Sequence, residues 1–197
     1  MSRAHSTPNF DGRRALILHR PHEVVEAIAR QLGQVGIRHE SSWPDAPDAD
    51  FDIVFYDADM GHDGQFPWPP GLAPMPSIAL IGSEAPGRLA WAIRQGADAH
   101  LLKPIGSGGV YSALVIAFDA FARRSKMSDE LDGIRARLEQ RQLVAEATAC
   151  LMVQGNVSAD AAYDTLRREA MAARLTIEDM AERVVAHLRT AHVRDRA

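Results

Sequence analysis

Three arginines, Arg167, Arg168 and Arg174, fall within two helical turns of one another near the end of a 197-residue chain. Guanidinium groups so placed can hydrogen-bond phosphate oxygens and stack on unpaired bases. Tyr163, one turn earlier, offers a further stacking surface. Composition also allows plainer readings: a solvated face with i,i+4 pairs such as Asp164–Arg168, and a tyrosine packed in a core beside Leu166. From Arg135 onward ten arginines meet nine carboxylates, a local net of +1, which is weak for phosphate binding. The whole chain carries a formal charge of -4, so any nucleic-acid site must be a local patch.

Other chemistry is sparse. Cys150 is the single cysteine, so no internal disulfide and no cysteine-rich metal site can form. The eight histidines show no metal-ligand spacing. Gly106-Ser107-Gly108-Gly109 lacks the spacing of a phosphate-binding loop, and no Gly-x-Ser-x-Gly elbow occurs. No enzyme activity, cofactor or metal is expected. The first residues, MSRAHSTPNFDGRR, contain no apolar signal region, and no run reaches the roughly 18 apolar residues of a membrane span. The expected location is the cytoplasm.

The first half of the chain alternates strand and helix patterns. Apolar runs at residues 15–18, 51–56, 77–81 and 99–102, with a further strand near 37–41, predict five strands. Helical spacing from Glu23 to Val35 ends at Gly36, and a second helix runs from about Pro86 to Gln95. Such alternation predicts a flavodoxin-like parallel sheet with right-handed crossovers, whose functional edge lies at the strand C-termini. Residues 59–76 carry too many prolines and glycines for a useful helix. Within them Phe66-Pro67-Trp68-Pro69-Pro70 is either a docking surface or a stiff loop folding Trp68 over the sheet.

After Ile105 the period becomes helical and runs without proline to about Gln154. A heptad frame puts Leu131, Leu138, Ala145 and Met152 at one seam position and Met127, Ile134, Arg141 and Thr148 at the other. The second set decays toward the C-terminus. Such a stripe needs a partner, and a second copy is the simplest one. Two further helices follow: one capped by Ser158 with Ala162, Leu166, Ala170 and Met171 inward, the other opened by a Thr176–Asp179 capping box. The second presents Ile177, Met180, Ala181, Val184, Val185 and Leu188. The expected organisation is a sheet domain over 12–106, a long helix and coiled-coil linker over 107–143, and a three-helix output domain over 144–190.

The motif Ala147-Thr148-Ala149-Cys150-Leu151-Met152, then Gly155, Ala162-Tyr163, Leu166-Arg167-Arg168, Ala170-Met171 and Ala181, resembles the ANTAR output domain of the AmiR and NasT transcription antitermination regulators. That family usually has a long residue followed by glycine where Thr148 and Ala149 stand. The first half resembles the receiver module of the same family, closest to the AmiR branch with its degenerate receiver. By that resemblance Asp57 takes the place of the phosphoacceptor, Lys103-Pro104 that of the Lys-Pro after strand five, and His100 that of the aromatic switch residue. The resemblance implies a dimer that binds leader-RNA hairpins through residues including Thr148, Tyr163, Arg167, Arg168 and Arg174. It implies a controlling partner like a ligand-sensing binding protein. Neither DNA nor membrane is expected as a target, because the final two helices lack a polar recognition face and no apolar run is long enough to span a bilayer. The alternatives are a phosphorelay regulator switched at Asp57 and a protein-interaction adaptor that binds no RNA.

The departures decide how the receiver is read. An acidic pair belongs after strand one, and here the chain has His19-Arg20-Pro21; Gly82 stands where a serine or threonine is usual. Mg²⁺ wants several hard oxygen ligands, and Asp57 alone supplies one carboxylate. Arg20 is expected to pair with Asp57 in place of a metal. The domain is therefore read as a pseudo-receiver.

Overall fold

β1 (Arg14–Leu18), β3 (Ile53–Asp57) and β4 (Ser77–Ile81) are buried almost throughout, because helices or loops cover both faces of a parallel sheet. With β2 (Arg38–Ser42) and β5 (Ala99–Leu102) at the edges they pair in the order β2-β1-β3-β4-β5. All four ladders are parallel. The computed structural model describes residues 8–194, with side chains described through His187. No helix among the described residues is long and apolar enough to cross a membrane.

The period of two sorts the strand residues between two cores. Ala15, Ile17, Ile53, Phe55, Ile78 and Leu80 pack with α1 (Glu23–Gln34) and the first turns of α3 (Val110–Gly155). Leu16, Leu18, Val54, Tyr56, Ala79 and Ile81 pack with α2 (Pro86–Arg94) and the proline-rich loop. The His22 ring caps α1 by accepting from the Val24 amide, and Gly36 follows its end at φ +77, a left-handed turn that favours glycine. Arg124 fixes α3 to the sheet edge through Asp98, with its guanidinium 3.2 Å from the carboxylate.

Between β3 and β4 only a 3₁₀ turn forms, over Asp63–Gln65. The loop around it does the work of a covering helix. Phe66 meets Tyr56 edge-on, and Trp68 stacks on Phe66 with ring centroids 5.2 Å apart. The Pro-Trp segment thus folds against the sheet. Asp63 anchors the turn by accepting from the Trp91 indole at 2.6 Å and the Gln95 amide at 3.2 Å. Tyr56 is enclosed beneath it and donates to the Ala92 carbonyl; burial, then the Asp98 charge, drives its phenol pKa far up.

The chain divides into two compact units, Met1–Lys126 and Met127–Ala197. In the second, later turns of α3 combine with α4 (Ala159–Ala173) and α5 (Ile177–Arg194) around Ala147, Leu166, Ala181 and Val185. Asn156 takes a left-handed turn at φ 48 immediately after Gly155, breaking the helix where the Gly-Asn pair is read. The Ser158 hydroxyl accepts from the Ala161 amide, and the Thr176 hydroxyl accepts from the Asp179 amide. Met171 departs from expectation. It is exposed, because it lies about 100° around the helix from the buried Ala170. Leu188 lies outside the described side chains.

Candidate functional site

The strand C-termini gather four ionisable side chains, Asp57, Asp59, Lys103 and His19, in one corner of the first unit. Asp57 ends β3 and is 1% exposed. Its Oδ1 accepts from Lys103 Nζ at 2.9 Å and from the Asp59 amide at 3.0 Å. Its Oδ2 faces His19 Nε2 at 3.3 Å, both atoms shielded from solvent. His19 Nδ1 lies 2.6 Å from the Arg20 carbonyl, an oxygen that can only accept, so Nδ1 carries a proton.

Asp59 closes the corner. Its carboxylate meets Lys103 Nζ at 2.5 Å and accepts from the Gly82 amide at 2.8 Å and the Ser83 amide at 2.9 Å. Desolvation opposes its ionisation, but the Lys103 hydrogen bond, the Ser83 and Gly82 amides and the Lys103 charge outweigh it and lower its pKa. The bare Cα of Gly82 makes this possible, since a Cβ there would stand 2.8 Å from Asp59 Oδ2 and 3.1 Å from Lys103 Cε. A hydroxyl-bearing residue would displace Asp59.

This donor set does not fit Mg²⁺. Two carboxylates already share one ammonium, and His19 occupies the side where further oxygen ligands would be needed. The expected pairing of Arg20 with Asp57 is not formed: Arg20 is exposed, and the preceding residue, His19, supplies the facing group. The sequence pattern had marked Asp57 and Lys103; it gave no sign that Asp59 folds back over the amides of Gly82 and Ser83. His100 stands away from this corner, exposed on β5 between two shallow clefts that it lines with Asp98 and Ala99.

In the second unit the expected RNA residues fall into different surroundings. Arg167 and Arg168 line an open groove of about 680 Å³ with Val157, Ala161, Asp164 and Thr165. The Arg168 guanidinium is held on its own helix by the Thr165 hydroxyl at 3.0 Å and the Asp164 carbonyl at 3.4 Å. Arg174 sits at φ 56 as the left-handed residue that ends α4. Thr148 donates its hydroxyl to the Val144 carbonyl at 2.7 Å, within α3. Tyr163 is exposed and lines a separate cleft with Arg137 and Arg141, two residues that the motif reading did not single out.

The long helix also exposes what a soluble surface normally hides. Met127, Leu131, Ile134 and Leu138 form one stripe at heptad spacing, and each is 49–64% exposed.

Known proteins supply the context for these two units. A family model described as "AmiR, N-terminal" matches residues 13–118, and the ANTAR domain model matches residues 132–185. The chain is 25% identical over 175 residues to the aliphatic amidase regulator of Pseudomonas aeruginosa, covering 86% of this chain and 89% of that protein. It is 30% identical over 95 residues to the transcriptional regulatory protein PdtaR of Mycobacterium tuberculosis, 48% of this chain and 46% of that one. Among solved structures it is similar to full-length FixJ from B. japonicum, at 14% identity and a TM-score of 0.45, covering 89% of this chain and 98% of that one.

Proposed function

The chain belongs to the AmiR family of regulators that carry an ANTAR output domain, and from that premise we propose that it is an RNA-binding antitermination regulator acting as a dimer. Its second unit binds hairpins in a leader transcript and favours the fold that lets polymerase read through. It catalyses nothing in this account; differential affinity for two RNA folds shifts their populations. Pairing along α3 joins two weak RNA contacts on one scaffold and raises the effective concentration of the second.

The observation that carries the regulatory half of the proposal is the closed corner at Asp57. An aspartate 1% exposed, held by Lys103 and faced by His19, has neither the access nor the metal ligands that phosphoryl transfer needs. Control then passes to a protein partner. For this chain the partner is a ligand-sensing binding protein, released or engaged according to its small-molecule load.

Two experiments test the reading. Leader RNA from the chain's own operon is run against the full-length protein in a gel-retention series over salt concentration. The expected result is salt-sensitive retention that weakens when Arg167 and Arg168 are both replaced by alanine. Absence of retention favours a protein-interaction adaptor. Incubation with a small phosphodonor and Mg²⁺ is expected to leave the mass unchanged; an acyl phosphate on Asp57 would restore the phosphorelay alternative.

A further inference from the structure

We propose that the cleft between α3, α4 and α5 is a nucleotide subsite, in which one unpaired base stacks on Tyr163 while Arg137 and Arg141 hold the flanking phosphates. The inference rests on the RNA-binding reading above and gives it an address. The cleft measures about 310 Å³, a size suited to a single small planar group. Val144 and Ile177 supply apolar lining, and Tyr163 lies among them.

Tyr163 is the telling residue. Its neighbours on α4, Ala162 and Leu166, are wholly buried in the unit's core, yet Tyr163 is 44% exposed. The ring therefore contributes a face to the cleft and not to the core. A tyrosine so placed costs little to order and accepts any base on its π face.

The two arginines supply the charge. Arg137 and Arg141 lie one turn apart on α3, so their side chains stand on the same face. Neither has an ion pair or hydrogen bond among the described residues, whereas Arg135 is held by Asp132 at 3.2 Å and Arg168 by Thr165 at 3.0 Å. Uncommitted guanidinium groups lose no existing partner when they take up a phosphate. The apolar stripe of α3 stops at Leu138, so the cleft begins where a dimer seam of that helix would lose its apolar contacts.

The remaining polar groups can hydrogen-bond a base. Gln140 offers both a donor and an acceptor, and the Glu178 carboxylate can only accept. Glu178 accepts from a base edge that carries a donor, an exocyclic amino group or a ring N–H. The same carboxylate disfavours an acidic peptide, the other occupant that two arginines could attract.

The test uses the full-length chain and a stem-loop RNA from its own leader. Ultraviolet crosslinking followed by peptide mapping is expected to mark Tyr163. Tyr163→Ala should weaken retention by about 10- to 100-fold, while Tyr163→Phe, which keeps the ring, should stay within about twofold of wild type. Replacing Arg137 and Arg141 by alanine should weaken binding and flatten the salt dependence by about two phosphate contacts. Circular dichroism on each variant separates lost contact from lost fold, and the Phe variant keeps the test open if Ala unfolds. Wild-type retention left unchanged by all three variants overturns the subsite and leaves the RNA reading standing. No retention by wild type overturns both. Displacement of the RNA by poly-glutamate at matched ionic strength reassigns the cleft to acidic peptides.

Discussion

Lys103 Nζ bridges Asp57 and Asp59, 2.9 Å from Oδ1 of the first and 2.5 Å from Oδ2 of the second. One ammonium is thus shared by two carboxylates in a corner where Asp57 has almost no contact with solvent to fall back on. Removing a shared partner is costlier than removing either sharer. Lys103→Met should destabilise the first unit by about 3–5 kcal/mol, since it strands two like charges together. Asp57→Asn should cost distinctly less, because Lys103 keeps Asp59. Urea denaturation of the two variants checks the order, and equal losses would show that Lys103 is not the keystone.

Asp59 gives the corner a pH dependence. Its folded-state pKa is lowered, so its contribution to stability is present above the unfolded value, near 3.9, and is lost as pH falls through the folded value. Acid denaturation followed from neutrality downward should therefore show a stability loss confined to the region below about pH 4. Asp59→Asn removes that segment of the curve. A variant whose stability falls over the same region as steeply as wild type would place the acid-sensitive group elsewhere.

The exposed stripe of α3 predicts the oligomeric state. Met127, Leu131, Ile134 and Leu138 leave too much apolar surface at regular spacing for a lone helix in water. Sedimentation should give a dimer for the wild-type chain, and Ile134→Asp with Leu138→Asp should give a monomer whose sheet unit stays folded. A double variant that remains dimeric would move the interface off this helix.

Arg174 separates a structural role from an RNA contact. It ends α4 at φ 56, a conformation that costs a residue with a Cβ about 1–2 kcal/mol and glycine almost nothing. Arg174→Gly should raise the stability of the second unit by about 1 kcal/mol. If RNA retention falls in the same variant, the guanidinium touches RNA; if it holds, the residue is a cap only. A loss of stability would contradict the capping account.

Much of this was legible in the residues themselves. Buried parallel strands are continuous apolar runs, so ALIL and SIALI announced themselves, and Gly36, Ser158 and Thr176 marked helix ends by their own chemistry. The Asp57 corner was legible only in part. Asp57 and Lys103 stand at strand ends, where topology alone brings them together. Asp59 reaches its place through a turn, and His19 depends on the direction its ring takes beside Arg20; neither choice has a periodic signature. The same holds for Arg137 and Arg141. Arg141 falls at a heptad position that reads as a seam and Arg137 lies one turn before it, and only the packing of α4 and α5 against α3 turns their face into a cleft. Met171 shows the converse, an apolar residue one step past the buried face that looks like core in one dimension.

The most direct test of the central claim is transcription in vitro through the leader of the chain's own operon, with the full-length protein and no phosphodonor. The account predicts a concentration-dependent rise in read-through transcripts that phosphodonor and Mg²⁺ do not increase. Unchanged termination at every protein concentration, or read-through that appears only after phosphodonor is added, would contradict it.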